Sequence, residues 1–441
     1  MKSNPRYKRS QELLKRATRT IPLGSQTFSK SHQQFPSGAA PLFLSHGQGG
    51  RVWDVDDNNY VDLICGLLPV VLGYRDPDVD AAIRKQLDRG ICFSLATELE
   101  MELAERLVEI IPCAEGVRFG KNGSDATSGA IRLARGVTGR DRVAVCGYHG
   151  WQDWYIGSTS RDKGVPRAVS ELTHRFVYND LDDLNTLLKS HPGEFAAVIM
   201  EGINSEEPDP GYLASVKELT HQHGALFILD EVITGFRFAL GGAQEMFEVT
   251  PDLACFGKSM ANGMPLSAVV GRADLMAQME EIFFSSTFGG ETLSLAAAIA
   301  VVDKMKQGEV IKGLWAKGKR LAFGVQMLLD SSGLGELITL HGMSPWKLIA
   351  FHDHPQARAQ AIRTLFIREM LENGILIGSS HNLCHAHDDD DLERVLKAWR
   401  NSLAVMFVEL DTGKLEERLE GPVIEPVFTV RGGGGNPTAG R

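Results

Sequence analysis

Leu226-Phe227-Ile228-Leu229-Asp230-Glu231 and, beyond a glycine turn and an acidic helix, Leu253-Ala254-Cys255-Phe256-Gly257-Lys258-Ser259 are the stretches on which the reading of this chain turns. Each opens with a short apolar run, the pattern of a strand buried on both faces inside a parallel sheet. The chemistry sits where the runs stop. A lysine just after a strand and a glycine occupies a restricted, partly dehydrated turn, which favours its neutral, nucleophilic form. An aspartate ending the neighbouring strand can keep the ring nitrogen of a bound heterocycle protonated. Taken singly these are weak signs, because strands often end in charged residues and Gly-Lys-Ser also marks structural or phosphate-binding turns.

The wording around them narrows the choice. Asp230-Glu231-Val232-Ile233-Thr234-Gly235-Phe236-Arg237 with Pro251-Asp252-Leu253-Ala254-Cys255-Phe256-Gly257-Lys258 resembles the class III aminotransferases, fold type I pyridoxal phosphate enzymes. Within them the wording is most similar to the glutamate-1-semialdehyde aminomutase branch. The resemblance implies an α/β fold: a large domain with a mainly parallel sheet, and a smaller α+β domain drawn from both chain ends. It implies pyridoxal 5'-phosphate as cofactor, Lys258 as the Schiff-base lysine, Asp230 as partner of the pyridine nitrogen and Val232 packed on the ring.

Composition sets bounds on what else the protein can do. The formal charge of −10 argues against a nucleic-acid partner, which requires a net basic footprint. No apolar run approaches the roughly 20 residues of a membrane span, and the basic start Met1–Arg9 lacks the apolar core of a secretory signal. Cys65, Cys92, Cys113, Cys146, Cys255 and Cys384 stand in hydrophobic contexts without motif spacing, as expected of buried, reduced thiols in a cytoplasmic protein.

Along the chain, Ser10 to Ala17 reads as an amphipathic helix, and Arg51 to Asp62 as a hairpin around an Asp-Asp-Asn-Asn turn. Gly66 to Gly73 reads as a buried loop. Asp78–Arg89 and Thr97–Ile111 have helical periodicity, the second with a core stripe at Leu99, Leu103, Leu107, Ile110 and Ile111. Short apolar strands are expected at Val143–Cys146, Ala196–Met200, Ala225–Leu229, Leu253–Phe256 and Ser267–Val270. The expected division is an N-terminal segment over 1–75, a cofactor-binding α/β domain over 76–310, a small α+β domain over 311–420 and a tail over 421–441 whose Arg431–Pro437 stretch reads as flexible.

Further groups attach to this frame. Lys121-Asn122-Gly123-Ser124-Asp125-Ala126-Thr127 precedes a helix, where free backbone N–H groups and hydroxyls make a phosphate cradle or, more plainly, an N-cap. The resemblance gives the phosphate to Gly123 and Ser124. Cys146-Gly147-Tyr148-His149-Gly150-Trp151 follows a strand; Tyr148 can stack on a flat heterocycle, His149 joins the cofactor set, and Trp151 reads as core or lid packing or as a substrate neighbour. Glu201 ends another strand and would organise the site near the ring oxygen, although Gly202 replaces the proline that relatives carry, and Asn204 is an alternative partner. Thr287, in Ser286-Thr287-Phe288-Gly289-Gly290, matches a threonine that reaches the phosphate of the neighbouring subunit, which implies a homodimer with shared sites. His381-Asn382-Leu383-Cys384-His385-Ala386-His387 matches no tetrahedral zinc spacing, so no metal is expected.

Substrate specificity departs from the aminomutase branch. Lys30 and Leu67 stand where that branch uses an arginine for a carboxylate and a tryptophan near the substrate, and lysine cannot reproduce the bidentate fork. The expected activity is therefore ping-pong transfer from a small-molecule amino donor to a carbonyl acceptor, such as a sugar or other polar aldehyde or ketone. Intramolecular aminomutation of glutamate 1-semialdehyde is the alternative. A non-catalytic binding protein on the same fold is the remote one, disfavoured because both Asp230 and Lys258 are present.

Overall fold

The computed structural model describes residues 4–419 and 421–427. Near the amino end, β1 (Leu44–Gln48), β2 (Arg51–Asp54) and β3 (Asn59–Asp62) form an antiparallel meander. β2 and β3 are the expected hairpin, whose turn places Asp57 at φ 64. β1 was not foreseen, because its sequence Leu-Ser-His-Gly-Gln is largely exposed and has no apolar alternation.

The main sheet comprises β4 (Gly116–Gly120), β5 (Arg142–Cys146), β6 (Thr173–Arg175), β7 (Phe195–Glu201), β8 (Leu226–Asp230), β9 (Leu253–Phe256) and β10 (Ser267–Gly271). Their spatial order is β4-β10-β9-β8-β7-β5-β6. Only β10 runs against its neighbours, pairing antiparallel with both β4 and β9. Alternation along β5 explains why its sequence is apolar throughout: Val143 and Val145 face the helix Gly123–Thr138, while Ala144 and Cys146 face Leu184, Leu188 and Val216 of the helices on the other side. That first helix is started by an Asn122/Asp125 capping box and stopped by Gly139 at φ 66, where a left-handed residue is needed.

Beyond the long helix Glu309–Ser332, β11 (Ile338–His341), β12 (Trp346–Phe351) and β14 (Ser380–Asn382) make a second antiparallel sheet, and β13 (Ile375–Leu376) adds parallel to β3 of the N-terminal meander. The smaller α+β part is thus drawn from both chain ends. The helix Asp389–Asp411 begins with three aspartates in its first turn, where negative charge suits the dipole, and Arg51 binds two of them, Asp391 at 2.6 Å and Asp390 at 2.7 Å.

Two expectations need correction. The acidic segment between β8 and β9 holds only the short helix Ala243–Met246, because Gly241 and Gly242 interrupt it. Five cysteines are buried, but Cys92 is exposed, since its loop carries apolar residues at the surface. The stretch Arg431–Pro437 lies outside the described residues. Residues 421–427 pack on the body, with Ile424 N–H donating to Thr364 Oγ1 at 2.9 Å.

Candidate active site

Four adjacent parallel strands, β5, β7, β8 and β9, end on the same edge of the main sheet, the place where open α/β sheets bind ligands. Asp230 closes β8 in register with Glu201 of β7 on one side and Cys255 of β9 on the other. Three residues after Cys255 the chain turns, and Lys258 takes φ 40 in the left-handed region that a side chain normally avoids. The turn is held by Met260 N–H on the Gly257 carbonyl at 3.0 Å and by Ser259 Oγ, which donates to the Leu68 carbonyl at 3.3 Å. The loop carrying half-buried Leu67 therefore lies against the turn that presents Lys258.

Asp230 is buried, and its two oxygens have different neighbours. Oδ1 accepts the Val232 N–H at 3.1 Å, and Oδ2 lies 2.7 Å from Nδ1 of the fully buried His149. The other ring nitrogen of His149 is 3.1 Å from the Cys146 carbonyl. Both imidazole nitrogens face oxygens, so the ring is pinned at both ends against the Asp230 carboxylate and the Cys146 carbonyl.

Gly123 and Ser124 open the helix Gly123–Thr138, whose first N–H groups have no partner within the helix. A Cβ on Gly123 would stand 2.9 Å from Val232 Cγ1, so glycine is what allows the helix start to close on Val232. Ser124 Oγ accepts the Trp151 N–H at 3.3 Å, and a Cβ on Gly150 would collide with it. Tyr148 meets Tyr155 edge-to-face at 5.6 Å, and burial, then the Asp230 and Glu201 carboxylates, raise its phenol above the ordinary range. Glu201 packs beneath Gly147, and burial together with that carboxylate pushes the Cys146 thiol up to about 12.

The remaining predicted residues are spread more widely. Trp151 is 63% exposed, which excludes the core packing weighed for it, whereas Trp154 is buried and donates to Ser128 Oγ at 2.9 Å. Asn204 spends its Oδ1 on the Ser205 N–H at 2.7 Å, within its own loop. Lys30 is exposed on the single turn Phe28–Lys30. Thr287 is exposed in the loop before the helix Thr292–Met305, next to Cys92, whose Sγ lies 3.8 Å from its carbonyl.

Several supports escaped the sequence reading. Thr127 Oγ1 donates to the His149 carbonyl and Tyr155 OH to the Gly147 carbonyl, each at 2.7 Å, so both clamp the turn that carries Tyr148 and His149. The paired glycines Gly147 and Gly150, both at φ 109, were the available signal. Lys121 forms an ion pair with Glu291 at 3.0 Å, tying the helix-start turn to the loop of Thr287.

An anion cradle at a helix start, a buried carboxylate backed by an imidazole, and an amine on the adjoining strand end suit a cofactor that carries a phosphate, a ring nitrogen and a carbonyl. Comparisons with known proteins agree with that donor set. The family model for aminotransferase class-III matches residues 34–388. The 3-aminobutyryl-CoA aminotransferase of Cloacimonas acidaminovorans is 37% identical, over 90% of this chain and 97% of its own length. The glutamate-1-semialdehyde 2,1-aminomutase of Desulfitobacterium hafniense is 35% identical, over 90% of this chain and 98% of its own. Among solved structures, the FumI protein of Sphingopyxis sp. MTA144 in its pyridoxal phosphate form superposes with a TM-score of 0.86 at 29% identity, covering 93% of this chain and 99% of that one. The chain belongs to the class-III aminotransferases, enzymes that work with pyridoxal phosphate.

Proposed function

We propose that this aminotransferase moves an amino group between two separate small molecules, an amino donor and a polar carbonyl acceptor, rather than within one. The observation that carries the site assignment is the buried His149–Asp230 pair at the end of β8, one strand from Lys258. Gly123, Ser124 and the N–H groups of their helix start would hold the cofactor phosphate, Val232 and Tyr148 would flank its ring, and Asp230, backed by His149, would face the ring nitrogen. The bound cofactor supplies an electron sink for the carbon that loses its proton. Lys258 Nζ would hold the cofactor carbonyl and, as the free amine, would take up the proton lost by the donor carbon.

Substrate contacts are assigned to Lys30, Leu67 and Trp151. Lysine and leucine at the first two positions weaken the fit to glutamate 1-semialdehyde. A sugar-like or other polar aldehyde or ketone is our first acceptor class. A β-keto thioester is the second, favoured by the relative named for 3-aminobutyryl-CoA.

A homodimer with shared sites belongs to the same reading. Leu95 and Phe283 are 85% and 82% exposed. Ile91, Phe93 and Phe288 are exposed as well, and the Thr292 N–H on the Ile91 carbonyl at 3.0 Å joins the loop of Ile91 to the helix that follows Phe288; exposed apolar side chains of this kind mark a protein interface. Thr287 is exposed in the same loop as Phe288, and in this reading it would reach a partner subunit's phosphate. We also divide the chain into the segments 1–75, 76–310, 311–420 and 421–441. The net charge of −10 supports the absence of a nucleic-acid partner, and among the described residues no helix is long and apolar enough to cross a membrane. Buried free thiols support a reducing, cytoplasmic setting.

The test is a half-reaction. Holoenzyme is mixed with L-glutamate, L-alanine or a β-amino thioester, and the cofactor spectrum is followed. Conversion to the aminated cofactor, reversed by a keto acceptor and lost in Lys258→Ala, is the expected result. Formation of 5-aminolevulinate from glutamate 1-semialdehyde with no external donor, at a rate above that of any donor–acceptor pair, would overturn it in favour of the aminomutase.

A further inference from the structure

Cys65 and Cys384 come from opposite ends of the sequence and meet in one closed compartment. Their sulfurs and a ring nitrogen of His387 all lie within 4.8 Å of one another, and all three residues are buried. Cys65 Sγ lies 3.0 Å from the Asn382 carbonyl and 3.3 Å from the Asp62 carbonyl, so the thiol sits against the strand segment that leads into Cys384. The Cys384 N–H donates to His387 Nδ1 at 3.0 Å, which fixes the imidazole beside that residue.

The two segments are also joined by the buried Arg237, which donates to the Leu68 carbonyl at 2.9 Å and the Leu383 carbonyl at 2.8 Å. Leu68 accepts the Ser259 hydroxyl as well, so the loop that begins at Cys65 reaches the residue after Lys258. That loop is wound tightly, with Cys65, Leu67 and Leu68 all at positive φ. The thiols are chemically unequal. Burial alone would raise Cys384, but the Cys65 hydrogen bond and the neighbouring His387 outweigh it and hold Cys384 well below the usual thiol range. Burial and the hydrogen bond to Cys384 push Cys65 well above that range.

We propose that Cys65 and Cys384 form a dithiol pair that hydrogen peroxide closes to a disulfide, and that the bridge slows amino transfer by drawing the 64–70 loop toward segment 382–387. The Cys384 thiolate attacks peroxide, breaking the O–O bond and releasing hydroxide, which takes up a proton to become water. The resulting sulfenic sulfur is attacked by Cys65, the S–S bond forms, and the second oxygen leaves as water with the Cys65 proton. Two thiols are oxidised and one peroxide is reduced to two waters. The bond brings the sulfurs to about 2 Å, and the loop must follow. Movement of the Leu68 carbonyl then disturbs the Ser259 contact that holds the Lys258 turn. The expected effect is on the order of tenfold in the half-reaction rate.

The experiment treats reductant-free holoenzyme with hydrogen peroxide and maps thiols by non-reducing digestion and mass spectrometry. The expected product is a Cys65–Cys384 peptide pair lacking two hydrogen atoms, opened by dithiothreitol, with activity falling and recovering in step. Cys65→Ser and Cys384→Ser are each expected to keep their own activity through the same treatment, while Cys92→Ser behaves as the unaltered protein. Free Cys65 and Cys384 after treatment would overturn the proposal, as would equal peroxide sensitivity in both serine variants. One bound zinc per chain shielding the two thiols would overturn it too. The peptide mapping needs no substrate, so its failure is distinct from failure of the amino-transfer reading.

Discussion

Replacing His149 by Phe keeps a ring of similar size and removes both nitrogens that its neighbours use. In the folded protein those nitrogens lie 2.7 Å from Asp230 Oδ2 and 3.1 Å from the Cys146 carbonyl, with the side chain fully buried. The variant leaves a buried carboxylate without its imidazole partner, at about 1.5–3 kcal/mol, and a buried carbonyl without its ring-nitrogen neighbour, at about 1–3 kcal/mol. Better burial of the phenyl ring returns about 1 kcal/mol, so the net loss is about 3 kcal/mol. With an unfolding entropy of about 2.1 cal/mol/K per residue, a chain of 441 residues loses about 3 °C in its melting midpoint. The half-reaction is expected to slow by about tenfold to a hundredfold, since 1.4 kcal/mol of lost stabilisation of the charged ring nitrogen is tenfold in rate. His149→Asn keeps one donor toward Asp230 and should recover part of the rate. Calorimetry of the apoprotein and stopped-flow absorbance of the holoenzyme read the two effects separately. A lowered midpoint with an unchanged rate would make His149 a packing residue, and a midpoint within 1 °C of the parent (~1 kcal/mol on the same scale) would refute the buried pair as a source of stability.

Other perturbations probe the remaining parts. Gly123→Ala forces a methyl into contact with Val232 and should weaken cofactor retention by roughly tenfold; adding Val232→Ala makes room and should restore part of it, and two additive losses measured by equilibrium dialysis would contradict that coupling. Burial pushes His381 down to about 3, so below about pH 6.5 the unfolded chain takes up a proton that the folded protein refuses. Its contribution is therefore intact above pH 6.5 and lost as pH falls toward 3, by up to about 5 kcal/mol. His381→Gln, which can still accept the Trp399 Nε1–H bond, should flatten the fall of the melting midpoint between pH 6.5 and 4.5; parallel slopes would exclude the effect. Leu95→Asp with Phe283→Asp places charge in the exposed apolar patch and should yield monomers with little amino-transfer activity by light scattering and assay; an active dimer would move the interface elsewhere.

What could be read from the sequence followed how completely each element is buried. β7, β8, β9 and β10 carry no polar face, and their expected limits lie within a residue of the observed ones. β4 and β6 passed unnoticed because they are the two outer strands of the main sheet, and Arg118 and His174 break the apolar run. Asp230 was a visible candidate because it ends such a strand, and Lys258 because it follows one after a single glycine. Thr127, Tyr155 and Ser259 were not, because their part is played through hydroxyl contacts to carbonyls distant in sequence. The Cys65–Cys384 contact has no local signature either: it exists only once the loop after β3 and the segment after β14 lie side by side.

The pairing of β13 with β3 fixes when this protein can finish folding. Val61 meets its neighbour only after Ile375 has left the ribosome, and Arg51 waits longer still for Asp391. At about 5–20 residues per second, the N-terminal meander spends roughly 15–60 s without its last strand. During synthesis its open edge is a template for other nascent chains, so the amino end of this protein is where chaperone binding and early aggregation should concentrate.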